Sequence, residues 1–222
     1  MADGIINING DSVQTLEVIF LMTLITLLPS IVVMMTSFTR YIISFSFLRT
    51  ALGTQQTPPN LVLVGLALFL TLFTMSPVID EINETAWEPY TQEQITQEVF
   101  LERAQVPLKR FMLNNTESSS VRMFCDMAGE PIPEGVEDGV ENLPLRVVTP
   151  AFATSELKRA FQIGLYLYIP FLLMDIIVSS TLMSMGMIML PPAMISTPFK
   201  LLLFISVNGW ELLFSTLVKG FH

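Results

Sequence analysis

Hydrophobic and polar positions in this chain fall into long blocks. Residues 18–39 carry no charge, Arg40 and Arg49 then flank the apolar stretch from Tyr41 to Leu48, and residues 50–79 are charge-free again. After a polar interval the chain is charge-free over residues 160–174, Asp175 interrupts, and residues 176–199 are charge-free once more. Lys200 and Glu211 punctuate the remaining apolar residues. An apolar run of about 20 residues crosses a hydrocarbon core of ~30 Å as a helix, so the blocks predict membrane helices. Pro29, Pro58, Pro59, Pro77, Pro170, Pro191, Pro192 and Pro198 lie within these blocks. Each removes a backbone donor, which predicts bends or breaks, including one near Pro29 and a third helix that starts after Pro150.

The pattern divides the chain into a polar N-terminus (1–17), a first hydrophobic hairpin (18–79), an acidic region (80–150) and a second hydrophobic hairpin (151–222). Within the acidic region, residues 91–104 read as a helix with Ile95, Val99 and Phe100 on one face, stopped by Pro107. Ser120 is a candidate cap for a short helix holding Val121, Phe124, Cys125 and Ala128, with Gly129 ending it. Pro131, Pro133, Gly135, Gly139 and Pro144 predict loop for the rest. A region so small and broken is expected to pack on the membrane portion or on a partner.

One stretch departs from ordinary apolar sequence. Met183-Ser184-Met185-Gly186-Met187-Ile188-Met189-Leu190-Pro191-Pro192-Ala193-Met194 holds five of the fourteen methionines. Met183, Met185, Met187 and Met189 recur at every second residue, so an extended chain would point all four to one side. Gly186 and Pro191-Pro192 argue against an uninterrupted helix. Two readings stand side by side: a flexible apolar loop that presents adaptable thioethers, or methionines that fill gaps in a core.

Composition narrows the function. The 222 residues are 51% hydrophobic and 14% charged, the balance of a membrane protein. The net charge of −9 belongs to one segment, because residues 80–141 contain fourteen acidic and four basic residues. An acidic segment of this kind excludes nucleic acid as the expected partner. Cys125 and His222 are the only cysteine and histidine, so one chain assembles neither a disulfide nor a Cys/His metal site. The phosphate-binding and hydrolase signatures GxGxxG, GxxxxGK[ST], GxSxG and HExxH are absent, so no enzyme activity and no cofactor are expected. Positive residues favour the cytoplasmic side, which places the Arg40/Arg49 and Lys200 connections inside and the acidic region with both termini outside. No signal peptide is visible before residue 17, yet this orientation fits one that has been removed.

Asp175 fits its surroundings worst. A carboxylate at the centre of a lipid-facing helix costs ~2.5–3.5 kcal/mol on insertion scales, so it faces protein or water. It reads either as part of a proton relay or as a structural partner of Lys200, an arginine or a neighbouring subunit; the absence of further ionisable groups along a path favours pairing. A second aspartate for intramembrane proteolysis is missing. Helices interrupted by so many prolines belong inside an oligomer, where other protein satisfies the freed backbone groups. Gly53, Gly65, Gly164 and Gly186 suit close helix approach.

Several ordered motifs resemble the FliP family of flagellar type III export gate proteins. One is the run from Arg49 through Gly53, Pro58-Pro59-Asn60 and Gly65 to Thr71. A second runs from Pro150-Ala151-Phe152-Ala153 and Ser155-Glu156-Leu157-Lys158 through Phe161-Gln162-Ile163-Gly164, Ile169-Pro170-Phe171-Leu172 and Asp175. It continues to Gly186-Met187-Ile188-Met189-Leu190-Pro191-Pro192, Pro198-Phe199-Lys200-Leu201 and Gly209-Trp210. The resemblance covers nearly the whole chain except the first ~15 residues and the acidic middle.

It implies an all-α integral membrane protein of about four hydrophobic, proline-bent segments forming hairpins in a ring or helical oligomer. It further implies a core subunit of the flagellar export gate, assembled from several copies with R and Q subunits, served by the A and B export proteins and passed by unfolded flagellar proteins. The implied location is the bacterial inner membrane within the flagellar basal body, with the acidic region periplasmic. The family's methionine gasket falls on Met187, Ile188 and Met189, with isoleucine replacing the middle methionine; Met183 and Met185 are secondary candidates. Asp175, Lys200 and Arg49 are the expected buried polar residues of assembly. Asn208-Gly209-Trp210 stands where the family often has Asp-Gly-Trp. The homologous injectisome subunit and an ion-channel or transporter subunit remain alternative readings.

Overall fold

The computed structural model describes residues 5–8, 11–187 and 189–221. A short antiparallel ribbon, β1 (Ile5–Ile8) and β2 (Asp11–Gln14), pairs Ile5 with Gln14 and Ile8 with Asp11 ahead of an otherwise helical chain. The polar N-terminus therefore adds a small β element to the expected all-α fold.

Helix α1 (Thr15–Met35) runs through Pro29 without breaking. The break comes later, where α2 (Phe38–Leu52) leaves at 65° to residues 25–35. Hydroxyl chemistry accounts for this position. Thr36 Oγ1 donates to the Val32 carbonyl at 2.5 Å and accepts from the Phe38 amide at 3.3 Å, while Thr39 Oγ1 donates to the Val33 carbonyl. Side chains thus take over backbone partners and open the helical ladder. A loop over residues 53–59 follows Gly53, whose φ of +74° suits only glycine comfortably. Helix α3 (Asn60–Ile82) starts directly after Pro58-Pro59 and passes through Pro77. A π-helical turn (Asn83–Trp87) and α4 (Glu88–Thr91) extend it.

The acidic region is more helical than its Pro and Gly content suggests. Helix α5 (Gln97–Asn114) continues past Pro107, because the buried face formed by Pro107, Phe111 and Met112 outweighs one missing backbone bond. Helix α6 (Ser118–Ala128) begins two residues before the expected cap, with the Glu117 carbonyl accepting from the Ser120 amide at 2.9 Å. Gly129, at φ +69°, terminates it. The predicted loop contains α7 (Val136–Asn142). Tertiary packing creates this turn, since a side chain at Gly139 would come within 2.9 Å of Leu113 Cδ1.

Helix α8 (Leu145–Ser184) is a single 40-residue helix that contains both Pro150 and Pro170, so Pro150 lies inside it and does not precede it. At ~1.5 Å per residue it measures about 60 Å, twice a hydrocarbon thickness. Its first 15 residues carry Arg146, Glu156, Lys158 and Arg159, whereas residues 160–184 carry only Asp175. Helices α9 (Pro192–Ser206) and α10 (Gly209–Lys219) return along α2 and α8, bent by 64°. Asn208 makes that bend with φ +50°, and Gly209 fits under the Phe204 ring, 2.2 Å from where a Cβ would stand. Neither sharp bend falls on a proline. Among the described residues, two helices, Asn60–Thr91 and Leu145–Ser184, are long and apolar enough to cross a membrane, and each bent pair adds a further candidate span.

Two apolar cores organise these elements. One gathers Tyr41, Phe45 and Leu48 of α2, Leu63 and Ala67 of α3, Phe171 of α8, Phe204 of α9 and Leu217 of α10. The other joins Met75 of α3, Phe111 and Met112 of α5, Cys125 of α6, Val140 of α7 and Phe152 of α8. The acidic region thus packs on the ends of α3 and α8. Helix α2 lies against α8 closely enough that a Cβ at Gly164 would meet Phe47 Cδ2 at 2.4 Å.

Candidate functional site

Four charged residues, Arg40, Glu156, Asp175 and Lys200, form two clasps, each anchored on α8. In the first, Arg40 in the opening turn of α2 reaches Glu156. Its Nε donates to Oε2 at 2.7 Å and its Nη2 to Oε1 at 2.5 Å, while Nη1 donates to the Gly220 carbonyl at 2.7 Å. The two residues are 2% and 0% exposed. The planar guanidinium matches the carboxylate at two points and still has a donor left for a third element.

In the second clasp, Lys200 of α9 donates to Asp175 Oδ2 at 2.6 Å and to the Ala51 carbonyl, at the end of α2, at 3.0 Å. Ser196 Oγ donates to Asp175 Oδ1 at 2.7 Å. Lys200 is buried; the Asp175 side chain retains 34% exposure. Both clasps follow one plan: a cation bridges an α8 carboxylate and a main-chain carbonyl on a third element. Their carboxylates are nineteen residues apart on α8, roughly 28 Å at about 1.5 Å per residue. Helices α2, α8 and the α9–α10 leg are therefore tied at both ends.

The structure brings Asp175 and Lys200 together and leaves Arg49 out. Arg49 Nη1 donates to Asn60 Oδ1 at 2.5 Å and to the Pro58 carbonyl at 3.4 Å, a half-buried clip on the loop before α3. Of the three expected buried polar residues only Lys200 is fully buried. Loop ends recruit Arg49 because they expose carbonyls without helical partners. The first clasp is the pair that sequence reasoning passed over. Arg40 is one of two cations, with Arg49, in a chain segment free of acids from residue 18 to 79, and Glu156 is the one acid between Ala151 and Ala160. An acid-free segment that carries Arg40 needs a carboxylate from elsewhere in the chain once the guanidinium is buried, and that is the signal that points to Glu156.

The methionine stretch lies at the same end as the second clasp. Met183 lies in the last turn of α8, Met185 keeps a near-helical backbone, and Gly186 turns at φ +76°. The Met187 amide donates to the Leu182 carbonyl at 3.0 Å and the Gly186 amide to the Met183 carbonyl at 3.0 Å, a Schellman closure. This cap prevents the extended alternation across Met183 and Met185, because backbone carbonyls at a helix end need those bonds. Met183, Met185, Met187 and Met189 are all exposed, Met189 to 96%, so none of the four fills the core of this chain. Ile188 lies outside the described residues. Thr197 of α9 sits beside Gly53, which places the loop before α3 and the methionine loop at one end and the acidic region at the other.

The acidic region supplies its own ion pairs. Lys158 of α8 donates to Glu117 at 2.6 Å, and that bond holds the Glu117 carboxyl below its ordinary range. Lys109 is buried, which pushes its ammonium down, and it donates to the Val140 carbonyl at 3.2 Å. Cys125 is buried in the second core, and burial pushes its thiol up. Among the described residues, no group of three His, Cys, Asp or Glu side chains is placed to hold a metal ion.

These features define a class: an α-helical membrane protein whose internal charges lock helices together and which exposes a methionine loop. The particular family follows from comparison. Residues 21–217 match the model of the FliP family. Three proteins called flagellar biosynthetic protein FliP are similar over most of their length. The one from Pectobacterium carotovorum subsp. carotovorum is 50% identical over 96% of this chain and 82% of its own. That from Aquifex aeolicus (strain VF5) is 47% identical over 96% and 88%, and that from Bacillus subtilis (strain 168) is 47% identical over 94% and 92%. This chain belongs to the FliP family, the flagellar biosynthetic proteins of a bacterial membrane.

Proposed function

We propose that the chain is a core subunit of the flagellar type III protein export gate. Several copies assemble with R and Q subunits into a channel in the inner membrane at the flagellar basal body. Unfolded flagellar proteins pass through it, supplied by the A and B export proteins. The acidic region faces the periplasm.

The observation that carries this reading is the methionine loop. Met187 and Met189 project from a capped turn between α8 and α9, and the Lys200–Asp175 clasp holds those two helices beside it. Repeated around a symmetric assembly, such loops form an apolar collar of flexible thioethers that seals an empty channel and moulds around a passing chain. Met187, Ile188 and Met189 form that collar, with Met183 and Met185 at its base. Asp175, Lys200 and Arg49 hold the helix ends in the geometry that assembly needs, and the division at residues 17, 79 and 150 separates the membrane hairpins from the periplasmic region.

The test is genetic replacement. This chain, expressed in a bacterium whose own FliP gene is deleted, should restore motility and flagellin export and should co-purify with R and Q subunits. Export that stays absent although the chain accumulates in the membrane and recovers those subunits counts against the channel role.

A further inference from the structure

The residues after α10 close on the protein at one point. Gly220 gives its carbonyl to Arg40 Nη1, and the Phe221 ring lies 3.5 Å from the Arg40 guanidinium carbon, a cation–π contact. The same ring stacks on Phe111 of α5 at 5.9 Å and meets Tyr41 of α2 edge-on at 5.5 Å. Among the described residues, Phe221 alone packs against both apolar cores.

That position has a mechanical consequence. The core of the acidic region rests on α3 and α8, but its α5 face meets α2 and the α10 leg through this ring. A rigid aromatic ring held by a buried guanidinium has little freedom to follow one core without the other. Arg40 is itself fixed by two bonds to Glu156, so the ring is aimed by α8 as well.

We propose that Phe221 is a positioning residue, a pin seated on Arg40 that couples α5 of the acidic region to α2 and α10. Displacement of the acidic region is then transmitted to the α10 leg. The proposal does not depend on the export reading.

Hydrogen exchange on the full chain in its purified membrane assembly tests it. Phe221→Ala leaves the two Arg40–Glu156 bonds in place, so exchange should rise about tenfold in residues 105–114 and in 209–219 together, with 192–203 unchanged. Phe221→Tyr, which keeps the ring, should return both segments to the original rates. Phe111→Leu, altered only on the α5 side, should loosen residues 209–219, and it serves if Phe221→Ala fails to accumulate. A rise confined to one segment, a uniform rise across all helices, or no rise overturns the coupling.

Discussion

Arg40 on α2 and Glu156 on α8, 116 positions apart, form a two-point ion pair from which solvent is excluded. A buried pair of this kind contributes little net stability compared with apolar residues of the same shape, but removing one partner strands the other charge at about 3–5 kcal/mol. Glu156→Ala and Arg40→Ala are therefore each expected to lower the thermal stability of the purified protein sharply. The double change Arg40→Met/Glu156→Leu should recover most of the loss. If the double variant is as unstable as the sum of the singles, charge stranding is not the cause.

Asp175 is bonded to Lys200 and Ser196, so its removal strands a buried lysine. Asp175→Ala should reduce the yield of assembled complexes, read on native gels, more than it reduces export per assembled complex. Lys200→Met introduced alongside should restore part of the yield. Intact complexes that no longer export would assign Asp175 to gating instead.

Replacing Met187 and Met189 by alanine shortens the exposed side chains of the loop while leaving the Gly186 cap intact. Ion leak through the assembled gate, measured as conductance in planar bilayers, should rise several-fold. Conductance at the original level would remove the sealing role.

Gly164 faces Phe47 with no room for a Cβ. Gly164→Ala should cost about 1–3 kcal/mol through overpacking, seen as a lower unfolding temperature, and Phe47→Leu in the same chain should relieve it. A neutral Gly164→Ala would mean that α2 and α8 separate easily.

The Glu117–Lys158 bond ties the start of α6 to α8. A carboxyl whose folded pKa lies below its unfolded value adds stability above that unfolded value, about 4.3 for glutamate, and loses it as pH falls through the folded value. Protection of α6 amides should therefore decline below about pH 4 to 5, and Glu117→Gln should flatten that decline. An unchanged profile in the variant would assign the acid sensitivity to other carboxylates.

How far sequence reaches is clearest at its successes and errors. The charge-free blocks, the start of α3 after Pro58-Pro59, the stop at Gly129 and the need of Asp175 for a partner, with Lys200 one of the candidates, were all legible, because each rests on local chemistry or on one misplaced charge. The bends were not. Prolines at 29, 77, 107, 150 and 170 sit inside continuous helices, since loss of one backbone bond is offset when the surrounding face is packed. Bends appeared where Thr36 and Thr39 hydroxyls capture carbonyls and where Asn208 turns left-handed.

By itself the sequence determined the class of protein, the family motifs and the methionine stretch, since hydropathy, residue type and spacing are local properties. Only the tertiary structure decided that Arg40 meets Glu156, that α7 forms against Leu113, that the four methionines at 183, 185, 187 and 189 are exposed, and that Phe221 touches both cores. Those relationships join residues far apart in the chain, and packing geometry alone selects which distant side chains become neighbours.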